Sequence, residues 1–127
     1  MREIKFRGKR VDNGEWVFGD LIHRNEMLFI NVYKTDFGYY AYEVPAVTKT
    51  VGQFTGLKDK NGKEIYEGYV VLCDRHINDA FDKTTFLIGI DEYFRYQGIS
   101  KLGNEISVEE FEYAEVIGNI HDNKELL

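Results

Sequence analysis

One stretch limits the fold more than any other: Gln53-Phe54-Thr55-Gly56-Leu57-Lys58-Asp59-Lys60-Asn61-Gly62-Lys63-Glu64-Ile65-Tyr66-Glu67-Gly68. Asn61-Gly62 is a pair typical of tight hairpin turns, because both residues tolerate positive φ and the turn they make matches the right-handed twist of the flanking strands. A hairpin tip near Asp59 to Gly62 follows. Phe54 and Leu57 before it and Ile65 and Tyr66 after it are apolar anchors, while Lys58, Lys60 and Lys63 keep the tip in water. Glu67-Gly68 reads as a second reversal feeding Tyr69-Val70-Val71-Leu72-Cys73, a β-branched run bounded by turn residues, as a buried strand would be. Two reversals this close in sequence require antiparallel neighbours.

The rest of the chain repeats the theme. Glu3 to Val11 alternates, with Ile4, Phe6 and Gly8 on one side and Lys5, Arg7 and Lys9 on the other, the pattern of a half-buried strand with a basic outer ridge. Asp12 to Glu15 turns the chain into Trp16 to His23, where Trp16, Phe18 and Leu21 compete for the core, and Arg24-Asn25-Glu26 reverses it into Met27 to Tyr33. Tyr39 to Val44 is a further strand, halted by Pro45, and Val47 to Phe54 runs as strand into the hairpin. Beyond Cys73, a polar segment from His76 to Lys83 separates that strand from Thr84 to Asp91, and Gln97 to Glu105 reads as a loop. Ser107-Val108-Glu109-Glu110 fits a capping box for one helical turn, and Val116 to Ile120 a last strand before a tail carrying Leu126 and Leu127.

The pattern is that of an all-β fold of antiparallel strands with minor short helices, built as a single domain over residues 1–127. A chain of 127 residues that is 43% hydrophobic supports a core without a staple. The single cysteine, Cys73, excludes an internal disulfide. With no apolar N-terminal run resembling a leader, the expected location is a reducing cytoplasm. A net charge of −6 gives no global attraction to nucleic acid or anionic lipid, so any nucleic-acid role would rest on a local patch.

The opening Met1-Arg2-Glu3-Ile4-Lys5-Phe6-Arg7-Gly8-Lys9-Arg10, the central Thr55 to Gly62, then Ile65-Tyr66-Glu67-Gly68, and the closing Val116-Ile117-Gly118-Asn119-Ile120 with Leu126-Leu127 occur in one order from end to end. In this combination the chain resembles the YopX family of phage and prophage proteins. The resemblance implies a compact β-rich domain similar to an SH3-type, partly open barrel, encoded by phages or integrated elements of bacteria. It supplies no catalytic residue. Relatives usually read Glu-Gly-Asp where this chain has Glu67-Gly68-Tyr69, so a capping or contact role of that Asp is in doubt here.

Of the chemistries weighed, Cys73-x-x-His76 is half of a zinc or thiol site, with His23 and His121 far away in sequence; a buried cysteine ending a strand explains it better. Asp59-Lys60-Asn61-Gly62 starts like a calcium loop, but Lys63, Glu64 and Val70 stand where an oxygen ligand, glycine and glutamate belong. No phosphate loop, dinucleotide fingerprint or nucleophile elbow is present, so the expectation is a protein that is not an enzyme and uses no cofactor or metal. Two surfaces are candidates for binding. One is the basic ridge Lys5, Arg7 and Lys9 together with the hairpin lysines Lys58, Lys60 and Lys63, suited to a phosphate backbone. The other is the aromatic surplus of Tyr39, Tyr40 and Tyr42 with Tyr93, Phe94 and Tyr96, more than one face can bury and well suited to an interface. The expected function is an accessory protein acting by protein contacts or self-assembly, with nucleic-acid binding as the alternative and no role for a membrane.

Overall fold

Antiparallel pairing organises most of the chain. Strands make up 58% of it against 11% in helical turns, so the all-β expectation holds. The computed structural model describes residues 3–35, 38–77 and 80–126, with the side chains of residues 34–40 and 74–83 outside the description. It divides into two units, Met1–Phe54 and Thr55–Leu127.

In the first unit, β1 (Phe6–Lys9), β2 (Trp16–Arg24), β3 (Met27–Thr35) and β4 (Gly38–Pro45) form a meander with the hydrogen-bonded order β4-β3-β2-β1. The far side of β1 takes the head of β5 (Gly52–Lys58), through Phe6↔Gln53 and Arg7↔Gly52. Asn25 and Glu26, both at positive φ, join β2 to β3 between the paired Arg24 and Met27, the two-residue turn that strand twist favours. Ile30, Val44 and Ala46 are buried on the face that also holds the backbone of Gly8.

The expected strand from Val47 is interrupted. Thr48–Thr50 forms a 3₁₀ turn because the Thr50 hydroxyl bonds locally, donating to the Val47 carbonyl (2.6 Å) while accepting from the Lys9 N–H (2.9 Å). Phe18 stands exposed rather than in the core, and Ile4 is exposed as well.

In the second unit the tail of β5 pairs with β6 (Glu64–Tyr66), and a five-stranded sheet runs β10-β9-β8-β7-β11. Its members are β7 (Tyr69–Ile77), β8 (Ala80–Ile90), β9 (Tyr96–Ile99), β10 (Glu105–Ser107) and β11 (Ala114–Asn119). Among the described residues these strands leave open edges and form no closed barrel. Val71, Cys73, Phe86, Ile88, Ile106, Phe111 and Ala114 are buried, each large side chain contributing about 1.5–3 kcal/mol of apolar burial.

Two expectations are corrected here. The polar run from His76 does not separate two strands: β7 and β8 stay paired through Arg75↔Asp82, His76↔Phe81 and Ile77↔Ala80, since ladder bonds are made by the backbone whatever the side chains. Residues 97–105 are not a loop but β9, a tight turn and β10, with Ile106 paired to Gly98 and buried. The capping box holds: Glu110 Oε2 accepts the Ser107 N–H at 2.9 Å at the start of the 3₁₀ helix Val108–Tyr113.

Candidate functional site

The residue at the centre of the opening hairpin is Asp59 rather than Asn61. Its side chain is buried, and Oδ1 accepts the N–H groups of Asn61 (2.8 Å) and Lys63 (2.9 Å) while Oδ2 accepts that of Val116 (2.9 Å). The Lys60 N–H donates to the Ala114 carbonyl at 2.9 Å, so the hairpin is bolted to β11 at two points. Burial pushes the carboxyl up, but the N–H groups of Val116, Lys63 and Asn61 outweigh it and hold it below the usual range. A carboxylate whose oxygens are engaged by three backbone donors is a structural clamp, which accounts for the residue that the calcium comparison singled out.

The same turn is built three times in this unit. In Asp59 to Lys63, Asp91 to Arg95 and Ser100 to Asn104, the first N–H donates to the fifth carbonyl at 2.8 Å. The fourth N–H returns to the first carbonyl at 3.0, 3.1 and 3.0 Å. The first side chain also accepts the fifth N–H, through Asp59 Oδ1, Asp91 Oδ1 and Ser100 Oγ. This is a type I turn followed by a residue in the left-handed region, a position that suits glycine. Gly62 (φ 82°) and Gly103 (φ 88°) occupy it in two of the turns, and Phe94 (φ 62°) in the third. The Phe94 ring is 89% exposed, and its neighbour Tyr93 is 69% exposed. Arg95 lies 5.1 Å from the Tyr93 ring centroid and donates to Asp91 Oδ2 at 3.0 Å. Both rings belong to the aromatic surplus noted in the sequence; the signal for the turn that holds them is Asp91 standing four residues before Arg95, as Asp59 stands before Lys63.

The basic ridge changes character. Lys5, Arg7 and Lys9 do alternate onto one face, but they do not stand there as an exposed ridge: Arg7 is only 3% exposed, its guanidinium 3.6 Å from the centroid of the Trp16 ring, and Lys5 and Lys9 are half-buried. Lys9 lies 5.5 Å from the same ring, and Lys5 4.9 Å from that of Phe54 while pairing with Glu3 at 3.5 Å. The physical reason is the long apolar stem and weakly hydrated planar head of arginine, which let it pack as a flat group against indole. The hairpin lysines are exposed, with Lys60 3.8 Å from Glu115 and Lys63 over the Tyr69 ring at 5.8 Å, but they belong to the second unit and the ridge to the first.

Tyr42 is half-buried on β4, level with Val32; the side chains of Tyr39 and Tyr40 lie outside the described residues. Tyr69 is buried with its ring 5.7 Å from that of Tyr66. In this chain the position packs a core.

Cys73 is buried at the register position of Ala114 and Thr84; the side chain of His76 lies outside the described residues. No group of three or more His, Cys, Asp or Glu among the described residues is placed to hold a metal ion, and none of their helices is long and apolar enough to cross a membrane.

The closing motif is explained by packing. A Cβ on Gly118 would lie 2.5 Å from Asn123 Oδ1 and 2.7 Å from Leu126 Cδ1, so only glycine lets the tail fold back on β11. Asn119 Oδ1 then accepts the N–H groups of His121 and Asp122, both at 3.0 Å. Compared with curated proteins, the chain has no match. The family model described as YopX protein matches residues 5–127, across both units and through the hairpin and closing motif just described, and the chain belongs to the YopX family.

Proposed function

We propose that this protein is a non-enzymatic accessory protein of a phage or integrated element, working in the bacterial cytoplasm through protein contacts, and that the Tyr93-Phe94 hairpin tip is its contact point. The observation that carries the reading is Phe94. A non-glycine residue in the left-handed region costs roughly 1–2 kcal/mol, and an apolar ring held in water recovers none of it by burial. Two sister turns in the same unit avoid both penalties with glycine, so folding does not call for Phe94. Rigid aromatics presented on a tight turn are what interface anchors are made of. Side chains of the same unit that could react support contact over turnover: Asp59 and Asp91 spend their carboxylates on backbone N–H groups, and Cys73 is buried.

The test is capture by the immobilised full chain, challenged with a second copy of itself and with host lysate, alongside Phe94→Gly. A species retained by the wild type and lost from the variant is the expected result. Equal retention by both, or retention by neither, would refute the tip as the contact.

A further inference from the structure

The outer face of the first unit carries a second, independent set of features. Register places Arg7 opposite Phe18 and Lys9 opposite Trp16, and opposed residues of an antiparallel pair share a face. The face continues across β3 through Asp20↔Asn31, Ile22↔Phe29 and Arg24↔Met27, and the alternation along β3 adds Tyr33. Phe18 and Tyr33 are 46% and 48% exposed, in the middle of strands. Between these rings stand cations: Arg7 and Lys9 against Trp16, and Arg24, held by both oxygens of Glu43 at 2.8 and 2.9 Å, lying 5.6 Å from the Phe29 centroid. The net charge hides how uneven the chain is. Residues 1–54 hold eight Lys or Arg against seven Asp or Glu, a net +1, whereas residues 55–127 hold eight against fifteen, a net −7.

We infer that this sheet face binds single-stranded nucleic acid, its aromatics stacking on unpaired bases and Lys5, Lys9 and Arg24 meeting the backbone phosphates. Three arguments select this occupant. Rings standing on an open sheet offer stacking platforms that every base can use, and cations stand beside them. A duplex hides its bases' faces in the stack and presents only their edges in the grooves, where stacking rings find no platform. A protein partner would favour a face depleted of lysine, and here Lys9 stands opposite Trp16.

Trp16 is the chain's single tryptophan, so its emission reports on this face directly. Titrating the full chain with an oligothymidylate of about 20 nucleotides, an oligouridylate of equal length and a matching duplex is expected to change the emission with the single strands at low salt and far less with the duplex. With three phosphates engaged, log affinity should fall against log salt with a slope of about −2. Phe18→Ser with Tyr33→Ser, both on exposed positions, should weaken binding about tenfold or more. Lys58→Gln with Lys60→Gln should leave it unchanged. Arg7 is left intact, because it is buried and its removal tests folding instead. No emission change or anisotropy at low salt, equal affinity for the duplex, or binding lost with the hairpin lysines but kept in the Phe18/Tyr33 variant would each overturn the assignment.

Discussion

Asp59 is two residues ahead of the asparagine that turn chemistry singles out, and it does more for the fold than that asparagine. Each of its hydrogen bonds is charge-assisted and made to a backbone N–H group, the kind of hydrogen bond that contributes most. Asp59→Asn keeps the shape but removes the charge and one acceptor, and should lower stability by about 2 kcal/mol in urea denaturation. Because the folded-state carboxyl is held below its ordinary value of 3.8, its contribution is complete above that value and is lost as pH falls through the lowered one. The gap between wild type and Asp59→Asn should therefore be widest near neutrality and close in strong acid; a gap that widens on acidification would contradict the clamp. From the sequence, Asn61-Gly62 is legible because φ preference is local. The reach of Asp59 to Val116 spans 57 residues and leaves no local trace.

At the scale of elements, strand periodicity and turn residues identify nearly every strand, and they fail where tertiary contacts decide. β9 and β10 look like a loop because they are short and the segment carries Gly98 and Gly103, yet Gly98 and Ile106 pair in register and are buried. The basic ridge fails for a different reason: alternation finds the face shared by Lys5, Arg7 and Lys9, but cannot tell that Trp16 and Phe54 pack on that face. The tail shows what a close approach demands. Gly118→Ala would push a methyl against Asn123 and Leu126, and overpacking of this kind costs about 1–3 kcal/mol. We expect a drop of that size in chemical denaturation together with faster hydrogen exchange at the His121 and Asp122 amides. Unchanged exchange would show that the tail can shift aside without cost.

Taken whole, the molecule keeps its two candidate surfaces in different units and builds them differently: a strained hairpin tip in an acidic unit, and an aromatic, cationic sheet face in a near-neutral one. Family membership was legible from the order of four weak motifs, since each records a structural need: the β1 strand, the Asp59 turn, the Glu67-Gly68 reversal and the Gly118 contact. Neither surface was legible in full, because exposure is a property of the folded chain: Phe18 in a sequence reads as core, and an aromatic surplus does not say which of its rings stand outside. The central claim is that Phe94 is held in place against the interest of stability. Urea denaturation of the wild type and Phe94→Gly tests it without knowledge of any partner. The account predicts that the glycine variant is more stable, by about 1 kcal/mol after the entropy of glycine is set against the relieved backbone. A variant equal to or less stable than the wild type would mean that Phe94 serves the fold, and the contact assigned to it would lose its support.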